Sequence, residues 1–158
     1  MKIRLVEYDP TVITQSMLDD YQLNEDEPIS KPKSLIKRSQ NNSNMTPIMI
    51  LDDNRLVGSF CLHTNDGPLA YGGNFGTDIL VRAFSIDSRF RRKDFALVAL
   101  LQLPEFIYFH YKEIERIIIA VNHDNLPAQA LYVKAGFVDT QRRAVGKLGE
   151  LFIYQKDI

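Results

Sequence analysis

The chain has 158 residues, 45% hydrophobic and 25% charged, the composition of a single globular domain with enough apolar side chains to bury a core. Its 19 basic and 20 acidic residues leave a formal net charge of -1, which argues against DNA or RNA as the main partner. The one cysteine, Cys61, excludes a disulfide framework or a cysteine-based metal site within the chain, and no apolar run approaches the length of a membrane span. A soluble, cytoplasmic, single-domain protein (residues 1–158) with no membrane partner is expected.

Residues 2–8 alternate weakly as a strand that Asp9 and Pro10 end. Val12, Ile13, Met17, Leu18 and Tyr21 are spaced for a short amphipathic helix over 11–21, and a weaker helix follows Pro32. Between them LNEDEPISKPK is polar. Its acidic group with Asp19 and Asp20 (Glu25, Asp26, Glu27) reads either as a solvated loop or as a surface that favours a cationic acceptor. Residues 47–52 and 55–63 form two antiparallel strands around a tight turn at Asp53 and Asn54. Cys61 lies inside the second of these and reads as a small buried hydrophobe, which disfavours a covalent cysteine route. The following loop, TNDGPLAYGGNFGT, is rich in glycine and is either a lid or a long connection.

Residues 78–87 (DILVRAFSID) are apolar on both faces apart from Arg82 and Ser85, as in a central strand covered by helices. A guanidinium inside such a strand requires a carboxylate partner or an anionic ligand, so Arg82 either pairs structurally or orients a carboxylate-bearing substrate. The strand runs through a basic turn with Arg89, Arg91, Arg92 and Lys93 into a mostly apolar helix over 95–111. Unpartnered N–H groups and the macrodipole at a helix start favour anions, and four formal charges add to this. An anionic ligand is the first expectation. The helix should be largely buried, and Pro104 should kink or divide it.

Residues 116–121 (RIIIAV) form a second buried strand, reached by a right-handed parallel crossover. Asn125 can cap the next helix through the N–H of Ala128, and Gly136 suits the left-handed residue that closes it. Residues 137–143 and 150–156 complete the chain as a strand pair around Gly146 and Gly149, open to pairing across a homodimer. The order β, α, α, β, β, β, α, β, α, β, β is that of a mixed α/β sheet.

Two segments carry a family resemblance. SIDSRFRRKDFA supplies Arg91, Arg92, Lys93, Asp94, Phe95 and Ala96 in a turn, and VNHDNLPAQALYVKAGF supplies an Asn, a helix with Leu-Tyr, and a closing Gly-Phe. Together they resemble the GNAT superfamily of N-acetyltransferases. The resemblance implies a mostly antiparallel sheet of about seven strands with a central, splayed parallel pair and about four helices. It also implies acetyl-CoA as cosubstrate, with its pyrophosphate on the amides of Arg91 to Ala96 and its pantetheine arm along Phe84, Ser85 and Ile86. Asn122 and Asn125 then either bond the pantetheine or cap the helix. Asp94 departs from the family's glycine, crowding and repelling phosphate unless it points outward.

Attack of an amine on a thioester needs a neutral amine, a place for the developing oxyanion and a proton for the thiolate. Tyr132, one turn after Ala128, is expected to be the general acid on the family's pattern, with core packing as its alternative role. The oxyanion falls to backbone N–H near Phe84. No base stands out; His63, His123 and Glu7 are the candidates. The expected function is acetyl transfer to a primary amine of a small molecule or peptide. The alternatives are a non-catalytic acyl-CoA binding or sensing module and, more weakly, an α/β phosphate-binding protein without CoA.

Overall fold

The computed structural model describes residues 1–27 and 29–158. Seven strands form one sheet: β1 (Ile3–Glu7), β2 (Met45–Asp52), β3 (Arg55–His63), β4 (Asp78–Ile86), β5 (Arg116–Asn122), β6 (Val138–Gly146) and β7 (Gly149–Asp157), in the order β1-β2-β3-β4-β5-β7-β6. Four helices complete the fold: α1 (Gln15–Asp20), α2 (Pro32–Ser39), α3 (Phe95–His110) and α4 (Leu126–Lys134). All neighbours are antiparallel except β4 and β5, the pair joined through α3. The element order matches the sequence reading. Pro28, within the polar loop read above, lies outside the described residues.

Side-chain alternation assigns the two faces. Ile79, Val81, Ile117, Ile119 and Val121 pack with Ala99, Leu100, Leu103 and Ile107 of α3, while Leu80, Ile118 and Ile153 form a separate cluster on the opposite face. Fully burying such a side chain contributes about 1.5–3 kcal/mol, so two-sided burial fixes β4 and β5 at the centre of the sheet.

Those two strands part company halfway. Their ladder runs from Asp78 opposite Arg116 to Val81 opposite Ile119 and stops, although β4 continues to Ile86 and β5 to Asn122. At the same place β4 bulges against β3: Arg82 faces Cys61 and Ser85 faces Ser59, so Phe60 is opposed by two residues, Ala83 and Phe84. Ala83 takes the left-handed conformation, with φ of 53°. Ala83 and Phe84 therefore lack a ladder partner on either side.

Three local expectations change. The first helix begins at Gln15 rather than at residue 11, because Thr14 accepts a hydrogen bond from the N–H of Met17 (3.1 Å) and sets the N-cap. Pro104 does not divide α3, which runs unbroken through it. Leu100, Leu103 and Ile107 pack on the sheet on both sides of the proline, and that burial outweighs one lost backbone bond. Nor is α3 buried all round: Leu101, Tyr108 and Phe109 are exposed on its outer side. The 64–77 connection contains a 3-10 turn, Pro68–Tyr71, and is pinned in its second half. Asp78 accepts from the N–H of Asn74 (2.7 Å) and Arg142 donates to the Gly72 carbonyl (2.6 Å). It is a tethered connection.

The end of α4 explains the Gly-Phe pair. Phe137 N–H bonds the Tyr132 carbonyl (2.9 Å) and Gly136 N–H bonds that of Val133 (3.0 Å), the two bonds of a Schellman closure, with Gly136 at φ of 94°. Phe137 then folds back against Tyr132, ring centroids 6.1 Å apart. An added Cβ at Gly136 would have to adopt the left-handed region and lie 3.2 Å from Lys156. Gly136→Ala is expected to cost about 1–2 kcal/mol, read as a lower denaturant midpoint at unchanged slope.

Candidate active site

The turn after β4 is built on Asp87, whose side chain is wholly buried. It accepts from the N–H of Gln22 (3.0 Å), the N–H of Arg89 (2.9 Å) and the Arg89 guanidinium (2.8 Å). Burial opposes its charge, yet these hydrogen bonds outweigh it and hold the carboxyl below its usual range. Arg89 also binds Asp20 (3.1 Å), so this cation is committed to bracing the turn and not to a ligand. Arg91 is likewise engaged, by Glu27 (2.6 Å) and by the Ile86 carbonyl (3.1 Å). The four-cation expectation thus reduces to two: Arg92 and Lys93 are exposed and form no ion pair among the described residues.

Three of the five acidic residues around the polar loop are engaged by such bonds. Glu27 pairs with Arg91, Asp20 with Arg89 and Asp19 with Lys33. Arg91 holds Glu27 below the usual carboxylate range. A lowered folded pKa means that the stabilisation is present above the unfolded value and is lost as pH falls through the folded one. Thermal unfolding between pH 7 and 3 should therefore show Tm dropping below about pH 4, less steeply in Glu27→Gln, which has already lost its share.

Asp94 begins α3 in the left-handed conformation (φ 62°), and no side chain caps the helix. The first-turn N–H groups of Phe95, Ala96 and Leu97 lack a capping side chain among the described residues, and these residues border open space. That space is a cavity of about 420 Å³ that runs from the turn along β4 to α4. Arg91, Arg92, Asp94, Phe95 and Ala96 line one end, Phe84, Ser85 and Ile86 one wall, and Asn125 and Tyr132 the far side. Lys93 and Asn122 lie off the wall. Asn122 Oδ1 is buried without a hydrogen-bond partner, and Lys93 is exposed. Glu27 and Ile29 complete the cavity from the loop after α1, and Phe90, Leu97, Pro127, Ala128 and Leu131 fill gaps. Only the helical spacing of Ala128, Leu131 and Tyr132 signals any of these in the sequence.

Asn125 caps α4, accepting from the N–H of Ala128 (3.2 Å), and also faces the cavity. Tyr132 is held between Phe137 and Tyr154, whose rings are 6.1 and 6.2 Å away. Burial alone pushes its hydroxyl up to about 12, and no hydrogen bond offsets this. It is a protonated donor on a residue of the cavity wall.

The candidate bases are elsewhere. Glu7 is exposed on β1, three strands from β4 and so about 14 Å away, outside the cleft. His123 is exposed, its Nδ1 3.2 Å from the Glu150 carbonyl. His63 is buried and bonded on both nitrogens, to Arg82 (3.0 Å) and Asp66 (2.9 Å). Arg82 thus has the His63 imidazole as its partner and no carboxylate among the described residues. Cys61 is fully buried and its thiol is pushed up by burial, which leaves it un-ionised and inert.

A parallel pair that separates beside an uncapped helix start is the arrangement expected from the two motifs. Residues 13–137 match the model of the Acetyltransferase (GNAT) family. The chain belongs to this family. It is an acyl-CoA-dependent N-acetyltransferase. The acetyltransferase is 36% identical over 124 residues to an uncharacterized N-acetyltransferase, YbbJ, of Bacillus subtilis, covering 78% of each chain. Its fold is similar to that of Arabidopsis thaliana NAA60 solved with acetyl-CoA (TM-score 0.72, 13% identity, 99% of both chains). It is also similar to a Bacillus subtilis acetyltransferase solved with CoA (TM-score 0.66, 13% identity, 99% of both). Among the described residues no helix is long and apolar enough to cross a membrane, and no cluster of side chains is suited to a metal.

Proposed function

We propose that this cavity holds acetyl-CoA and that the enzyme passes the acetyl group by direct attack to a primary amine of a small molecule or peptide, in the cytoplasm. The observation that carries the reading is the continuity of one cavity from the uncapped start of α3, past the unpaired stretch of β4, to the Tyr132 hydroxyl. The residues present fit the cosubstrate. First-turn N–H groups of Phe95, Ala96 and Leu97 receive the pyrophosphate, with Arg92 adding charge. The backbone of Phe84 to Ile86, released from β5, pairs with the amide-bearing pantetheine arm.

Bond making and breaking then follow from these placements. The amine lone pair attacks the thioester carbonyl, the carbonyl oxygen gathers negative charge, and the carbon–sulfur bond breaks. The N–H of Phe84, which has no ladder partner at the bulge, receives the oxyanion. Tyr132 gives its proton to the departing thiolate, and the amine's surplus proton passes through water and restores the Tyr132 hydroxyl. The test is thiol release from acetyl-CoA with a panel of amines, with mass spectrometry of the acceptor. Amine-dependent release with N-acetylated product is expected. Tight acetyl-CoA binding without release for any amine would instead mark a non-catalytic binding module.

A further inference from the structure

The β4–β5 ladder ends at Val81 opposite Ile119, and beyond it the two strands present two faces. The cavity described above lies on the face of α3 and α4. Arg82 stands at the end of the ladder on the other face. It is the first residue of β4 beyond the last β4–β5 pair, and by alternation it shares a face with Leu80, away from the α3 core to which Val81 belongs. An acceptor that approaches the thioester from the side opposite the cosubstrate arrives beside this guanidinium.

Arg82 is half-buried and its bonding is unfinished. A guanidinium only donates, so its 3.0 Å contact makes His63 Nδ1 the acceptor. The ring proton must then sit on Nε2, which donates to Asp66 (2.9 Å). His63 is 5% exposed and clamped under the loop, where a Cβ at Gly67 would come within 2.5 Å of its ring. The imidazole is thereby fixed as a neutral tautomer holding one edge of Arg82. Asp66 lies on the far side of the ring with its side chain 58% exposed, and Arg82 has no ion pair among the described residues. Its Nε and Nη2 bond no described residue. A partly desolvated cation held on one edge by a neutral group, with a planar fork of donors left over, fits a carboxylate in the bidentate mode.

We infer that Arg82 recognises a carboxylate on the acceptor, which makes the acceptor an amino-acid-like compound carrying both the amine to be acetylated and an acid group. This rests on the acetyl-transfer reading above and deepens it. The experiment compares ω-amino acids with one to four carbons between amine and carboxylate against their carboxamides. It uses thiol release and, on the CoA-saturated protein, calorimetric binding of the N-acetylated pairs. For at least one spacing the acid should exceed its carboxamide by about tenfold or more in kcat/KM and in affinity. The ratio should collapse towards one in Arg82→Gln and be partly kept in Arg82→Lys. Acid and carboxamide performing alike in the native protein, or a preference that survives Arg82→Gln, would overturn the assignment. Absent thiol release with the binding preference intact would refute acetyl transfer and leave the carboxylate site standing; acetyl-CoA titration of each variant shows whether the donor site is whole.

Discussion

Replacing Tyr132 by phenylalanine should lower kcat by about a hundredfold or more, while acetyl-CoA affinity stays within about twofold. The argument starts from a largely buried tyrosine on the cavity wall whose hydroxyl bonds no described residue. Were Tyr132 only a core side chain, removing an unpartnered hydroxyl would leave the packing of its ring against Phe137 and Tyr154 intact and cost almost nothing. Stability should in fact be unchanged or slightly higher in Tyr132→Phe, so a large loss of turnover reads chemistry alone. The same burial keeps the acid protonated. With its pKa pushed up from 10 to about 12, Tyr132 stays a donor across the neutral and mildly alkaline range. Activity should rise with pH as the acceptor amine deprotonates, without a fall from Tyr132 below about pH 10. Because the folded value lies above the unfolded one, the protonated tyrosine stabilises the fold fully below about pH 10 and loses that contribution as pH rises towards 12. Tyr132→Phe should lack this alkaline component. Unchanged kcat in the variant would remove Tyr132 from the acid role.

Asp94→Gly should tighten acetyl-CoA binding by about fivefold or more at low salt. Asp94 lines the cavity at the helix start, where the N–H groups attract anions and its own carboxylate repels them. The group is exposed, so the water-like end of the Coulomb range applies: about 1 kcal/mol for unit charges near 4 Å. Fold stability should move little. Glycine relieves the left-handed backbone at φ of 62°, but it loses more conformational freedom on folding, and the two effects nearly cancel. Asp94→Asn separates charge from backbone, because asparagine tolerates the same conformation and carries no charge. It should recover most of the gain in affinity, and the gain should shrink in 1 M salt, where the Debye length is about 3 Å. Weaker binding by either variant would show that the carboxylate helps to hold the cosubstrate.

Much of the fold was legible in the sequence because its strongest signals are local. Two-sided apolar runs at 78–87 and 116–121 mark the central pair, Asp53 and Asn54 mark a turn, and Asn125 and Gly136 bracket α4 by backbone needs that few residues meet. Where burial competes with local preference, the sequence leaves the outcome open: Pro104 reads as a kink or a division, and the packing of α3 on the sheet keeps the helix undivided. The site was legible in part. The turn, the unpaired stretch of β4 and Tyr132 converge on one cavity, as the motifs suggested. The pairing of its charges was not legible, because it joins residues far apart in the chain. Glu27 finds Arg91 across 64 positions and Asp20 finds Arg89 across 69. Glu7 failed as a base for a related reason: periodicity gives a residue's face but not its strand's place in the sheet.

Amide-resolved NMR during titration with acetyl-CoA tests the central claim most directly. The N–H signals of Phe95, Ala96 and Leu97 at the helix start, and those of Phe84 to Ile86 on the released half of β4, should shift together along a single saturation curve, with Tyr132 following the same curve. Saturable binding that leaves the start of α3 and the free stretch of β4 unmoved would contradict it.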